Sequence, residues 1–258
     1  MRRSKNPLAR KLAKFCRAYL NYYNDYSYDF YKNGEEDLLR KLSPLNFNTV
    51  FDVGSNLGEW AKIAKSYFKN SKIYCFEIST KTFANLSKNL IGDSYTLNNF
   101  GLAEKEGVLS YKDYGENSGV NTIISDADYH DKHVTPKLVE AKLSTGSLYC
   151  SNNKISFIDF LKIDVEGAEH LVLEGFKDLL ASKSIRVIQF EYGYTNGDAK
   201  FLMKDFYKFF AQFGYIIGKI QKGTIEFHDW NYELNNFNSG PNYVAVRGDD
   251  YEVINLLK

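Results

Sequence analysis

The chain has 258 residues, 44% of them hydrophobic and 25% charged, with a formal net charge of +1. That length is enough for one large α/β domain with an appendage, and the balanced charge argues against a nucleic-acid partner bound by broad charge neutralisation. Its three cysteines, Cys16, Cys75 and Cys150, are too few and too scattered for a disulfide framework or a clustered zinc site, so reduced thiols are expected.

The first twenty residues carry Arg2, Arg3, Lys5, Arg10, Lys11, Lys14 and Arg17 without an acid, while Leu8, Leu12, Phe15 and Tyr19 recur at helical spacing. This is a basic amphipathic helix, whose apolar stripe suits the parent domain, a protein partner or an anionic membrane surface. No continuous apolar core of a signal peptide and no run of ~20 apolar residues is present. The expected location is cytoplasmic, peripheral to the inner face of a membrane if the helix makes that contact. The sequence sets no oligomeric state. The tyrosine-rich link NYYNDYSYDFY has no period and reads as irregular structure that helps cover a pocket.

Asn33 and Glu36 have the spacing of a capping box, with Arg40 and Lys41 in the last turn and Pro44 beyond, so a short helix is expected there. From Thr49 strands and helices alternate: TVFDV, a stripe at Trp60, Ile63, Ala64, Tyr67 and Phe68, then KIYCF and a stripe at Phe83, Leu86 and Leu90. Repeated strand, helix, strand units predict a parallel sheet. YTLNNFGL reads as a third strand and VLSYK as a short extra one. The polar stretch from Asp113 to about Ser147 has weak periodicity and reads as a lid-like insertion. FIDFLKI is a buried strand, Leu171 to Ala181 a helix, and RVIQFEY a further strand. A stripe at Phe206, Phe209, Phe210 and Phe213 closes at Gly214, and YIIGKI, TIEF and NYVAVR finish the sheet as antiparallel strands. The expected division is residues 1–45 as helical extension and 46–258 as the main domain, with the insertion near 113–147.

Two strand-to-helix crossings carry the chemistry. VFDVGSNLG sets Asp52, Gly54, Ser55, Asn56 and Gly58 at the end of one strand, where small residues allow a sharp turn and the helix offers N–H groups to an anion. Its spacing is not the GxGxxG of a dinucleotide site. LKIDVEGAEHLVLEGF places Asp164 and Glu166 at the end of another, and both crossings should face one crevice outside the carboxyl ends of the strands. Glu77 ends the next strand 25 positions after Asp52, where a carboxylate suits the vicinal diol of a ribose. With Asp52 available to an ammonium and a helix N-terminus to a carboxylate, the set describes a receptor for S-adenosylmethionine.

These segments resemble the FkbM-type methyltransferases, a branch of the class I S-adenosylmethionine-dependent enzymes. FDVGSNLGEW resembles the family's first motif, FEIS its ribose-binding acid, NNFGLAEKEGVLSY its third-strand region and LKIDVEGAEHLVLEG its signature; QFEY resembles the next strand ending in an acid. The resemblance covers about Thr49 to Glu191. It implies a class I methyltransferase-like Rossmann sheet with helices on both faces, and a cofactor site that includes Asp52, Gly54, Ser55, Asn56, Gly58, Glu77, Ile78, Asn99 and Asp164. The family's Thr-Leu-Asp segment reads Thr145-Gly146-Ser147 here, which points to an unusual substrate if that acid places it.

Methyl transfer to a hydroxyl needs an aligned oxygen and a base. Asp164, Glu166 and Glu191 are the acids at strand ends, with Glu166 favoured as base and Asp164 orienting cofactor or substrate, and the reverse assignment as the alternative. His228 is a second base candidate because imidazole titrates near neutrality, whereas His170 begins a helix and reads as structural. His130, His133, Asp126, Asp128 and Asp131 cluster in the polar stretch, where a solvated loop accounts for them, and no metal is expected. The family implies an O-methyltransferase acting on a sugar of a surface polysaccharide or a glycan precursor. Non-sugar small molecules and an inactive cofactor-binding module are the alternatives. Nucleic-acid methylation is disfavoured by the absence of an Asn-Pro-Pro-aromatic motif.

Overall fold

The computed structural model describes residues 6–115, 118–124, 135–237 and 240–258. The cluster of His130, His133, Asp126, Asp128 and Asp131 lies outside the described residues. In chain order the elements begin with α1 (Pro7–Tyr23), α2 (Glu35–Leu42), β1 (Thr49–Val53), α3 (Glu59–Tyr67), β2 (Lys72–Phe76), α4 (Thr80–Asn89) and β3 (Tyr95–Asn98). There follow β4 (Gly101–Leu102), β5 (Gly107–Asp113), β6 (Lys137–Ser144), α5 (Gly146–Asn152), β7 (Ile158–Ile163), α6 (Glu169–Gly175), α7 (Lys177–Ala181) and β8 (Ile185–Glu191). The last are α8 (Tyr194–Asp198), α9 (Met203–Ala211), β9 (Tyr215–Gln221), β10 (Thr224–Phe227), β11 (Asn242–Arg247) and α10 (Tyr251–Leu257).

Eight strands form the main sheet in the order β10-β9-β11-β8-β7-β1-β2-β3. From β8 to β3 all pairings are parallel, while β11 runs antiparallel between β8 and β9, and β10 antiparallel to β9. The chain starts the sheet at β1, winds outwards to β3, then returns to β7 on the other side. The carboxyl ends of β1 and β7 therefore flank the point where the winding reverses, and connections leaving in opposite directions open a crevice there.

Strand residues alternate between the two faces. Phe51, Leu161 and Ile188 pack on one side with α5, α6 and α9, whereas Val50, Phe160 and Val187 pack on the other with α2, α3 and α10. Leu38, Leu39 and Leu42 of α2 belong to that second core, so the main domain begins before residue 46. In α1 no residue is buried.

Three local features depart from the sequence expectation. The stretch from Asp113 to Ser147 contains β6, which pairs with β5 and β4 in a separate three-stranded sheet. Half of β6 is solvent-exposed, and its alternation of Val139, Ala141 and Leu143 with Glu140 and Lys142 is short and only weakly apolar, a faint signal for a half-buried strand. The helix expected over Leu171 to Ala181 starts at Glu169 and is divided at Phe176; Gly175 lies against the Ala103 carbonyl, where a Cβ would come within 2.2 Å. Asn33 is not the N-cap of α2: Gly34 is, at φ 91°, and the Asn33 side chain instead bonds Glu35 through both its backbone N–H and its carboxylate.

Candidate active site

A cavity of about 500 Å³ opens at the carboxyl ends of β1, β2, β7 and β8. Its walls include Gly54, Asn56, Glu77, Ile78, Asp164, Glu166 and Glu191, and residues 118–123 cover one side. Both crossings singled out in the sequence thus meet at one pocket.

At the β1 end the backbone passes close to β7. Gly54 takes φ 86°, and a Cβ there would stand 1.8 Å from the Asp164 carbonyl oxygen; only glycine lets the two strand ends approach like this. Asn56, at φ 44°, donates its backbone N–H to Glu77 Oε2 at 2.9 Å, while Ser79 N–H binds Glu77 Oε1 at 2.8 Å. Those bonds fix the carboxylate at the cavity wall. Burial pushes its pKa up to about 7, which keeps it a strong acceptor when ionised. Asn99 lies behind, donating to the Glu77 carbonyl oxygen at 2.9 Å. Beyond Glu77 the wall is apolar, with Ile78, Leu102 and Leu143, and Gly101 lets Ile78 and Leu143 close together.

At the opposite end three acids converge. Asp164, Glu166 and Glu191 each bring a carboxylate oxygen within 4.8 Å of the others, close enough for their charges to interact strongly. Burial and the charges of Asp164 and Glu166 push Glu191 well above the ordinary carboxyl range. Burial acts upward on Asp164 too, but the Lys162 ammonium and a hydrogen bond with Glu191 outweigh it and hold Asp164 low. The two shifts run in opposite directions, with the ionised form favoured at Asp164 and the protonated form at Glu191.

The turn that carries Glu166 is braced from below. Glu166 sits at φ 55° and Gly167 at φ 98°. Glu169, almost fully buried, accepts the N–H groups of Val165 and Gly167 at 3.1 and 3.2 Å and the Asn196 amide at 2.8 Å. Thr122 Oγ1 donates to the Glu166 carbonyl at 2.8 Å, tying the covering segment to the same turn.

Several predicted residues take other places. Asp52 is fully buried beneath the floor and faces Lys162, with Nζ to Oδ1 3.7 Å, so the ammonium beside it in this structure is a side chain of the protein. Ser55 donates to the Asp52 carbonyl and accepts from Phe76 N–H, a turn brace and not a wall. Gly58, at φ 81°, starts α3 and packs against Leu86 and Leu90. His228 requires a correction: it follows β10, whose antiparallel course ends at the edge of the sheet away from the cavity, and it pairs with Glu226 at 3.2 Å. His170 stacks on Phe201, centroids 4.7 Å apart. Thr145 caps α5 through Leu148 N–H, and none of residues 145–147 lines the cavity.

Sequence reasoning missed four residues. Lys162, buried in β7, is 3.0 Å from Asp164 Oδ2, and the signal was a lysine inside an apolar strand. Glu169 was visible only as the third acid of the signature. Glu35 lines the cavity and accepts hydrogen bonds from Asn33, Gln189 and Asn242. As a first-turn acid, it gave no sequence signal of this role. Asn242 reaches the wall because β11 starts, as an antiparallel strand, at the cavity edge.

The open sheet with one antiparallel strand inserted near its end and a strand-end carboxylate facing a crevice defines a class I S-adenosylmethionine-dependent methyltransferase. The chain belongs to the methyltransferase FkbM domain family, whose model matches residues 52–217. Hexuronic acid methyltransferase AglP of Haloferax volcanii is 24% identical over 176 residues, 67% of this chain and 69% of that protein. Among solved structures, a methyltransferase FkbM from Methylobacillus flagellatus KT superposes with a TM-score of 0.48 at 11% identity. That match covers 78% of this chain and 44% of that one, so the chain spans less than half of that protein's length. The plantazolicin methyltransferase BpumL, in complex with SAH, has a TM-score of 0.44 at 11% identity, covering 94% and 91% of the two chains.

The cavity's walls fit the cofactor: a fixed acid at Glu77 for a diol, an apolar slot beside it for a base, and a backbone at Gly54 that no side chain blocks. Glu77, Ile78, Gly54 and Asn56 would hold it. When bound, S-adenosylmethionine supplies a methyl group activated on a sulfonium centre.

Proposed function

We propose that the protein transfers a methyl group from S-adenosylmethionine to a hydroxyl of a sugar in a surface polysaccharide or glycan precursor. The observation that carries this reading is the convergence of Asp164, Glu166 and Glu191 at the end of the cavity opposite Glu77. Carboxylates there align an alcohol by accepting its hydrogen bond, and one of them receives its proton as the new C–O bond forms. Glu166 is the base, because Lys162 lowers the basicity of Asp164 and burial with neighbouring negative charge favours the protonated form of Glu191. The likeness to a hexuronic acid methyltransferase supports a sugar as acceptor class. Residues 118–123, tied to the Glu166 turn by Thr122, act as a lid over the reacting groups.

The test is transfer of isotope-labelled methyl from the cofactor into glycan and nucleotide-sugar fractions, followed by identification of the labelled product. A labelled methoxy group on a sugar is the expected result. Label found only on non-sugar metabolites would replace the substrate class, and cofactor binding without transfer to any acceptor would make the protein a binding module.

The acceptor's setting follows from α1. Leu8, Leu12, Phe15, Tyr19 and Tyr22 are exposed along one stripe, and Arg10, Lys11, Lys14 and Arg17 are exposed without an acid in the helix. No helix among the described residues is long and apolar enough to cross a membrane. Four cations beside an apolar stripe match an anionic bilayer surface, and they repel a second copy of the same helix. The full chain should sediment with vesicles containing phosphatidylglycerol and not with pure phosphatidylcholine. Equal sedimentation of Leu12→Asp/Phe15→Asp would rule the helix out as the contact.

A further inference from the structure

Residues 24–35 lie ahead of the span shared with the family, yet Tyr28, Asn33 and Glu35 line the cavity. The segment is pinned on both sides of Tyr28. Before it, Asp25 Oδ2 accepts the Lys222 N–H at 2.9 Å. After it, Phe30 packs against the core that holds α2, and Gly34, at φ 91°, lies so near the Gln221 carbonyl that a Cβ would come within 2.5 Å. Both outer anchors are on the hairpin of β9 and β10, so the tyrosine-rich link is held as a fixed wall.

This wall stands at the end of the cavity that carries the three acids. Glu35 accepts a hydrogen bond from Asn242 at 3.1 Å, and Asn242 is the register partner of Glu191. The charges of Glu191 and Glu166 both act on the Tyr28 hydroxyl, which places it beside them. The Tyr26 hydroxyl lies 3.1 Å from that of Tyr28. A phenol has one proton to give and lone pairs with which to accept; with Tyr26 donating to it, Tyr28 keeps its own proton for a further partner. Because 72% of Tyr28 is exposed, a ligand in the cavity can reach it.

A sugar hydroxyl that reacts has hydroxyl neighbours on the adjoining ring carbons. Such a pair needs an acceptor for the reacting oxygen's proton and a donor for the oxygen beside it. Resting on the reading of the protein as a sugar O-methyltransferase, we propose that residues 26–35 complete the acceptor subsite and that Tyr28 is its substrate-binding residue, donating its hydroxyl proton to the sugar oxygen next to the one that is methylated. The acceptor is thereby a vicinal diol, one oxygen facing Glu166 and the other Tyr28.

The experiment uses the full chain, labelled S-adenosylmethionine and methyl hexosides of gluco, galacto and manno configuration, each with its monodeoxy forms. On the best hexoside Tyr28→Phe should lower kcat/KM by about 3–10-fold, the worth of one hydrogen bond, with cofactor affinity by calorimetry unchanged. On the deoxy form that lacks the oxygen bound by Tyr28, the wild type should already be slower by a similar factor, and Tyr28→Phe should add nothing. Tyr28→Ala, which also removes the ring, should fall further on every hexoside. A Tyr28→Phe protein equal to wild type on every hexoside, or slowed equally on the parent and all its deoxy forms, overturns the inference while leaving sugar methylation in place. Slowing that comes with weaker cofactor binding moves Tyr28 to the cofactor's end and overturns it as well. Label reaching no hexoside or glycan, in protein that binds the cofactor, overturns sugar methylation and the inference with it.

Discussion

Lys162 and Asp52 are register partners across the β7–β1 pair, and both side chains are buried on the same face of the sheet, Nζ 3.7 Å from Oδ1. Burial alone would lower the pKa of Lys162, but Asp164, Asp52 and Glu35 outweigh it and keep the ammonium charged. Gln189 is the register partner of Lys162 on the other side, and it donates to Glu35. A polar row therefore crosses the sheet just beneath the cavity and joins α2 to the catalytic end of β7. Its Lys162 ammonium is what holds the Asp164 carboxyl below the ordinary carboxylate range against the effect of burial.

Removing the one cation of this row should leave buried carboxylates unbalanced. Lys162→Met is expected to destabilise the protein by about 3–5 kcal/mol, the range for breaking a buried pair from one side. Urea denaturation measures it. Asp52→Asn in the same background should restore part of the loss, because the uncompensated charge is then gone.

How far such a row could be read from the sequence depends on what each residue does to its neighbours. Gly54, Glu77 and Asp164 sit where an apolar strand meets a helix, so their position at the crevice was legible from the strand and helix pattern, whereas Asp52 lies beneath the floor. Lys162 was overlooked because five apolar or aromatic neighbours made FIDFLKI a buried strand, and a charge inside it reads as an exception until its partners in register are known. Glu35 contacts residues more than 150 positions away in Gln189 and Asn242, and no local pattern encodes that. The same limit explains His228, which looked available as a base until the antiparallel course of β10 carried it to the far edge.

Gly54→Ala tests the close approach of β1 and β7. A methyl group would collide with the Asp164 carbonyl, and φ 86° is strained for alanine, so separation of the strand ends should cost roughly 3 kcal/mol or more. The measurable outcome is a lowered urea midpoint together with loss of S-adenosylmethionine binding by calorimetry. Wild-type affinity in a stable Gly54→Ala protein would show that the two strand ends can part without harm.

Glu77 gives the cofactor site a pH dependence. Burial raises its folded pKa to about 7 from an ordinary 4.5. The folded state then binds more protons than the unfolded one between these values, so this group's stabilisation is present below 4.5 and is lost as pH rises through about 7. Glu169, also raised to about 7 by burial, acts in the same direction. Ligand-free protein should thus lose stability between pH 5 and 8, and Glu77→Gln should remove part of that slope. Cofactor affinity should move oppositely, rising with pH as the carboxylate ionises and accepts the ribose hydroxyls. In Glu77→Gln it should be weaker and nearly flat with pH, as followed by calorimetry across the same range.

The three acids at the other end are separated by their protonation. Burial and its acidic neighbours favour the protonated form of Glu191, so Glu191→Gln puts a neutral group of the same shape there and should lower kcat by less than about tenfold. On the proposed assignment Glu166 accepts the hydroxyl's proton, and Glu166→Gln has no group to do so; the expected fall in kcat is about 10²–10⁴, the usual contribution of a positioned base. Cofactor affinity should stay within about threefold of wild type in both, because neither side chain is needed at the ribose end. Single-turnover transfer of labelled methyl to a sugar acceptor measures the chemical step directly. If Glu191→Gln proved the more damaging change, the proton would have to leave through Glu191 in its ionised form. Activity would then rise with pH as that buried carboxyl loses its proton, and the same assay repeated up the pH scale would reveal it.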